Sequence, residues 1–312
     1  MDRTQNHKQD TTIVVHSGRF HTDDVFSVAA LQMYLNRQGI LNEAIAVIRT
    51  RDPELIRDAG FVADVGGVYD HALRRYDHHQ EEGAGTRDNG TPYASIGLVW
   101  KHYGLELCDN QQAVWEKIDT VLVQPIDIND NGDTALLPIK HDIYPYTIDD
   151  IVSVYRPSWN EPMDADSFYN AFMKLVPIAR TILEREIKKV SDAFTAKQFV
   201  LNAYERAEDK RIIEFDRRYG WRDSLLEKNE PLYVIEPDTN GEGKYQIYVV
   251  PKGYRTFEAR KPFPEAWGGK VDSELEKISG VEGALFCHRK LFMAVAKNLD
   301  AARALARKAI ES

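Results

Sequence analysis

TTIVVH (Thr11–His16) is a run rich in β-branched residues that ends on a histidine, and SVAALQMYLNRQG (Ser27–Gly39) follows it with helical spacing up to a glycine. The first reads as a buried strand and the second as a helix closed by Gly39. The alternation then repeats: AIAVIRT reads as a strand, DPELIRDAG as a short helix with Pro53 in its first turn, and FVADVGG as a strand running into glycines. Strands alternating with helices predict an α/β fold with a mainly parallel sheet and flanking helices. Ligands of such sheets bind at the carboxyl ends of strands. The residues just past those ends are His16, Asp64 and the triplet Asp77, His78 and His79 in RRYDHHQ. Adjacent residues point in different directions on a strand or a helix, so three polar neighbours of this kind make poor core packing.

Further along, PYASIGLVWKHYG and NQQAVWEKIDTVLVQPIDINDNG read as helical, with breaks near Pro125 and at the DNG of residues 130–132. YTIDDIVSVYRPSWNEPMD (Tyr146–Asp164) lacks clear periodicity and reads as a surface excursion. A long amphipathic helical region follows to Ala207, with Pro177 as a place for a kink. After the charged RAEDK the character turns to strands in RIIEFD, PLYVIEPD and KYQIYVVP, and a final helix has Asn298 or Asp300 as its cap. The expected organisation is an N-terminal α/β domain over residues 1–165, a helical connection over 166–207 and a smaller α/β domain over 208–312.

The 312 residues are 43% hydrophobic and 29% charged, the profile of a globular protein with room for about two domains. Two distant cysteines, Cys108 and Cys287, suggest neither a disulfide framework nor a thiolate zinc site. The polar opening MDRTQNHKQDTT is unlike a signal peptide and no apolar run has the length of a membrane span, so a cytoplasmic location is expected. A formal net charge of −9 argues against coating long nucleic acid through an overall field. It does not argue against a nuclease, because cations bound by a carboxylate-rich site reverse the local sign.

Four elements carry the candidate chemistry. HSGRFHTDD brings His16, His21, Asp23 and Asp24 into one loop after a strand, a mixture of imidazole and carboxylate that suits Mn, Fe, Zn or Co better than Mg alone. Asp64 precedes Gly66 and Gly67, DHH follows, and DINDNG offers Asp127 and Asp130. Taken singly, each has a structural reading: Thr22 or Asp23 as a helix cap, Asp64 as a turn residue, Asp127 and Asp130 as caps or turns. Four such elements in one α/β domain, each at the end of an element, point to a metal site.

This order, with HSGRFHTDDVFSVAAL, ADVGGVYD, RYDHHQ, IDINDNG, PFPEAWGGK and ISGVEGALFCH, resembles the DHH phosphoesterase superfamily, and within it the Myg, or melanocyte-proliferating-gene, family over residues 12–310. The resemblance implies a hydrolase with two divalent cations, manganese first and Mg, Fe, Co or Zn as alternatives. It also implies a smaller C-terminal domain that grips the substrate phosphate. The activity it implies is 3′–5′ exonuclease action on RNA or short oligonucleotides, so the implied partner is an RNA 3′ end. Carried onto this chain, the metal ligands are His16, His21, Asp23, Asp64, Asp77, His78 and Asp130, with Asp64 bridging. His79 becomes the contact to the scissile phosphate, and Asp24 or Asp77 orients the ligating histidines. The first motif departs from the superfamily pattern: His21 stands where an aspartate is usual, with one extra residue before it, which tilts preference toward a borderline-soft ion. Asp127 remains a rival to Asp130.

A C-terminal substrate domain needs cations. Arg255, Arg260, Lys261, Lys270, His288 and Arg289 are candidates, with Arg260 and His288 nearest the family motifs. Tyr254, Phe257, Phe263 and Trp267 offer rings for stacking a base, or for ordinary packing. Two other functions fit the same residues: a phosphodiesterase or pyrophosphatase on a small nucleotide, and a non-catalytic metal or nucleotide module. The long helical region also offers a surface for a homodimer.

Overall fold

The computed structural model describes residues 10–133, 138–240, 242–254 and 256–312. It divides into two compact units, residues 1–191 and 192–312.

In the first unit the chain runs β1 (Thr12–Val15), α1 (Thr22–Arg37), β2 (Ala46–Arg49), α2 (Pro53–Asp58), β3 (Phe61–Ala63), β4 (Tyr69–Asp70) and β5 (Arg75–Tyr76). The strands form one sheet in the order β2-β1-β3-β5-β4. β1 pairs in parallel with β2 and β3, and β3 with β5; only the edge strand β4 is antiparallel. The expected α/β class and mainly parallel sheet are therefore present. Ile13 and Val15 enter the main core while Val14 and Val62 join Ile56 of α2 in a smaller cluster, so both faces of the sheet are covered.

Helices α3 (Ser95–Leu107), α4 (Gln112–Ile118), α5 (Gln124–Asp130) and α6 (Ile148–Val154) complete this unit, and α3 packs on α1. The expected break at Pro125 does not occur. A wide helical turn over Asp119–Val123 joins α4 to α5, and Pro125 sits in the first turn of α5, where its missing N–H costs nothing. The expected surface excursion after Tyr146 also contains a helix, α6, whose Thr147 hydroxyl accepts from Asp150 N–H at 3.3 Å while Asp150 accepts from Thr147 N–H at 2.7 Å.

The helical region is not a body of its own. α7 (Ala165–Arg206) is one helix with Pro177 inside it, and the division between units falls within its length. Phe172, Leu175, Val176, Ala179, Leu183 and Val190 belong to the first unit's core, whereas Val200 and Tyr204 pack with Ile213 and Trp221 in the second. The helix thus supplies residues to each core separately, and the compact units divide at residue 191.

The second unit contains β6 (Ile212–Glu214), α8 (Arg222–Leu226), β7 (Tyr233–Pro237), β8 (Tyr245–Val249), α9 (Asp272–Ser279), β9 (Ala284–Cys287), β10 (Met293–Ala296) and α10 (Leu299–Glu311). Its sheet has the order β6-β7-β8-β10-β9, parallel only between β6 and β7. α10 lays Ala302, Leu305, Ala306 and Ala309 on that sheet, and Asn298 is its cap, accepting from Ala301 N–H at 2.9 Å. Among the described residues no helix is long and apolar enough to cross a membrane.

Candidate metal centre

Three parallel strands end side by side and deliver one functional residue each. β1 is followed directly by His16, whose Nδ1 lies 3.0 Å from the Ser17 carbonyl. A carbonyl can only accept, so Nδ1 donates and Nε2 faces the site. That Nε2 is 3.2 Å from Asp24 Oδ2 and 3.2 Å from Asp64 Oδ2. Asp64 follows β3 with φ of +55°, a left-handed backbone that aspartate tolerates better than most residues. Its N–H is held by the Tyr76 carbonyl at 3.1 Å, and Oδ1 lies 3.4 Å from His78 Nε2 and 3.5 Å from His79 Nδ1.

α1 starts immediately after the loop, with His21 at the cap position rather than Thr22 or Asp23. The His21 N–H donates to Asp24 Oδ1 at 3.0 Å, which leaves Asp24 Oδ2 for His16. Asp23 lies in the first turn, fully buried. Asp130, the last residue of α5, comes within 3.0 Å of His78 Nε2 and 3.7 Å of His21 Nδ1. Three sets of ligand atoms lie within 4.8 Å of one another: His16, His21 and Asp64; Asp64, His78 and His79; Asp23, Asp64, His78 and Asp130. Asp64 is common to all three.

Two aspartates take other positions. Asp77, expected as a ligand, directs Oδ2 to Gly67 N–H at 2.5 Å and Oδ1 to His78 N–H at 2.8 Å, His79 N–H at 3.2 Å and His79 Nδ1 at 2.7 Å. With both oxygens engaged it orients the DHH segment and joins none of the three sets. Asp127, the rival to Asp130, accepts from Gly97 N–H at 3.0 Å and pairs with Arg87 at 2.8 Å, which also binds Asp119 at 2.7 Å. Asp127 therefore secures the first turn of α3.

Carboxylates crowd the centre. His16 Nε2, His78 Nε2, Asp24 Oδ2 and both oxygens of Asp23 and Asp64 are buried without hydrogen-bond partners, an unusual concentration of orphaned polar atoms. Burial, then Asp64, Asp130 and Asp24, raises the Asp23 pKa well above the usual carboxylate range. Burial opposes the imidazolium forms of His16 and His78, yet their carboxylate neighbours push each up to about 10. Burial also works against Asp64 ionisation, but His16 and His78 hold it well below its usual value. Nitrogen and oxygen donors that attract protons so strongly fit divalent cations, which supply the same charge in concentrated form.

Sequence reasoning missed Arg49, although it ends β2 under the same strand-end rule that selects His16. Its Nη2 donates to Gly18 O at 2.9 Å, its guanidinium lies 5.3 Å from the Phe20 ring centre and 4.7 Å from that of Phe172, and its Nε is buried without a partner. Arg156 reaches the same loop, donating from Nε to the Phe20 carbonyl at 2.8 Å. Asp149 of α6 accepts from the Thr22 hydroxyl at the start of α1.

Residues 12–310 match the sequence model of the MYG1 exonuclease family, described as uncharacterised protein family UPF0160. The chain belongs to this family. Its relatives include a MYG1 protein of Schizosaccharomyces pombe, 29% identical with 96% of this chain and 97% of the relative covered. A human protein named MYG1 exonuclease is 27% identical, with 95% of this chain and 84% of that protein covered. Among solved structures, RecJ of Thermus thermophilus in complex with Mn2+ aligns with a TM-score of 0.28 and 11% identity over 99% of this chain. The chain spans about half of RecJ, 53% of its length. As a MYG1-family member with this cluster, the chain is a metal-dependent hydrolase of phosphoester bonds.

The substrate cations expected in the second unit of this MYG1-family chain fare unequally. Arg260 donates to the carbonyls of Lys228 at 2.5 Å, Pro231 at 3.1 Å and Leu226 at 3.2 Å, so its guanidinium closes the end of α8 instead of facing outward. Lys270 and His288 lie close together, because Cys287 N–H donates to the Lys270 carbonyl at 3.0 Å; the Lys270 amine also pairs with Glu274 at 3.3 Å. His288 Nδ1 accepts from Lys290 N–H at 3.0 Å. Arg255 lies outside the described residues. Lys261 is half-buried and Arg289 exposed. Of the four rings, Phe263 and Trp267 are core residues, at 1% and 4% exposure, while Tyr254 and Phe257 are exposed.

Proposed function

We propose that the chain removes nucleotides from the 3′ end of RNA or short oligonucleotides, with two divalent cations, manganese foremost, held around Asp64. The observation that carries this reading is the convergence of three ligand sets on Asp64, with its oxygens buried and free of hydrogen bonds. His16, His21, Asp23, His78 and Asp130 supply the remaining donors. Cations bound there would neutralise the phosphodiester and lower the pKa of water toward about 7.

The chain's own residues do the rest. Asp24 and the Ser17 carbonyl fix the His16 ring from opposite edges. Asp77 holds the Nδ1 edge of His79, raises its pKa and leaves Nε2 of this 60%-exposed side chain to donate to a phosphate oxygen. Arg49 and Arg156 add positive charge at the His16–Asp24 loop, where a negatively charged strand end would enter. The acidic overall charge favours binding a strand end over tracking along a duplex. Relatives named exonuclease support a nucleic-acid substrate.

The test is release of mononucleotides from single-stranded RNA labelled at its 5′ end, with Mn2+ supplied or chelated, beside the same RNA blocked at its 3′ end. Stepwise shortening that needs Mn2+ and a free 3′ end, and that falls at least about 100-fold in Asp64→Asn, is expected. Undiminished activity in chelator, or shortening of the 3′-blocked strand, would overturn the reading. Cleavage of a dinucleotide with the longer RNA untouched would replace the exonuclease with a small-substrate phosphodiesterase.

A further inference from the structure

The second unit has a half-open cavity of about 900 Å3 between the end of α7, β6 and α10. We infer that this cavity is a binding site for a nucleoside phosphate, either free or as one unit of a strand. It uses none of the Asp64-centred residues and does not rest on their catalytic reading.

One wall is aromatic. Phe199 of α7 and Tyr219 lie parallel, with ring centres 5.7 Å apart and planes within 5°. Phe215 stands edge-on to Tyr219 at 5.5 Å, and the Tyr219 hydroxyl donates to Asp216 at 2.8 Å, so the stack is held from behind and beside. Phe199 is nonetheless 55% exposed. A supported aromatic pair with a wet flat face is a stacking platform, and any base has a π-face to lay on it.

The other wall is charged, and its pairing is uneven. Glu214 is taken by Arg303 through two hydrogen bonds of 2.8 and 2.6 Å, and Asp209 by Arg211 at 2.7 Å. Asp216 lies 3.7 Å from Arg217 as well as accepting from Tyr219. Arg206 and Arg307 also line the cavity, and neither makes a hydrogen bond or ion pair among the described residues, although Arg307 assists Arg211 in holding the Asp209 carboxyl below its usual range. Glu208 is the one lining carboxylate without an arginine partner. Two guanidiniums whose N–H groups have no direct partner, beside an open aromatic face, match a phosphate joined to a base, since a guanidinium binds phosphate with charge and directed N–H groups. An acidic peptide would use the guanidiniums and leave the rings exposed. A purely apolar ligand would do the reverse. The volume lies in the range of small-ligand sites and exceeds what a bare anion needs.

The experiment titrates AMP into the full chain in the presence of EDTA, so that cation-dependent binding at the Asp64 cluster does not contribute, and reads heat by calorimetry. Saturable one-to-one binding is expected, weakened about tenfold or more by Phe199→Ala and by Arg307→Ala. Both residues are exposed, so neither substitution removes core packing. Adenosine and inorganic phosphate should each bind more weakly than AMP, because each keeps half of the recognition. A five-residue oligoadenylate that binds more tightly than AMP, and loses that gain in Phe199→Ala, would identify the source as a strand. One that binds no better than AMP would identify the free nucleotide. No saturation at millimolar AMP, binding unchanged in both variants, or inorganic phosphate binding as well as AMP would overturn the inference.

Discussion

A Cβ placed on Gly97 would stand 1.9 Å from Asp127 Oδ2. That carboxylate is fully buried and holds both the Gly97 N–H and Arg87, so it cannot swing aside without abandoning an arginine that itself bridges to Asp119. Gly97→Ala is therefore expected to destabilise the protein by about 3 kcal/mol or more, the scale of overpacking combined with a broken buried ion pair. Urea unfolding would read it, and a loss below about 1 kcal/mol would mean that Asp127 has room to move. The same residues explain a limit of the sequence. Asp127 and Asp130 are three apart on one helix, and only the close approach permitted by Gly97 assigns Asp127 to α3 and leaves Asp130 for His78. The two roles that the sequence left open for Asp77, ligand and orienter, could not be separated for a similar reason: the N–H groups that occupy it come from Gly67, ten residues away, and from the turn of the DHH segment itself. Residue type was legible at these positions, while the direction each carboxylate faces depends on neighbours distant in sequence.

At the scale of elements, α6 was overlooked despite a local signal, the threonine of YTIDD followed three residues later by an aspartate, which forms a reciprocal cap. Its role is larger than its seven residues, since Asp149 in its first turn accepts from Thr22 at the start of α1, beside Asp23. Thr147→Val removes the capping oxygen and keeps the shape, so a loss of about 1 kcal/mol is expected in chemical denaturation. An unchanged midpoint would show that α6 is held by Val152 packing alone. The strands that carry the site, β1 and β3, were legible because short apolar runs buried on both faces leave few alternatives. β4 and β5 were not: each has two residues, and they exist because β5 completes the parallel edge beside β3. The strand-end rule pointed to His16, Asp64 and DHH, and applied to β2 it would also have pointed to Arg49.

Across the whole molecule, the division of labour is electrostatic. The first unit concentrates buried carboxylates around two histidines, whereas in the second Asp209, Glu214, Asp216, Glu236 and Asp300 each have an arginine partner, so among the described residues the Asp64 cluster is the favoured address for a divalent cation. A ligand that binds only the folded state stabilises it by about 2.7 kcal/mol at a hundred times its dissociation constant. For a unit of this size that corresponds to an upward shift in Tm of roughly 5–10 °C. Adding Mn2+ to metal-free protein should therefore raise the melting midpoint progressively with concentration, and chelator should reverse the rise. Asp64→Asn should lose most of the shift because Asp64 belongs to all three ligand sets. Asp77→Asn should keep a measurable part of it, because Asp77 orients histidines without facing the cation. A midpoint indifferent to Mn2+ in the wild-type chain would mean that protons, held by His16 and His78, already meet the charge that Asp64 and its neighbours demand.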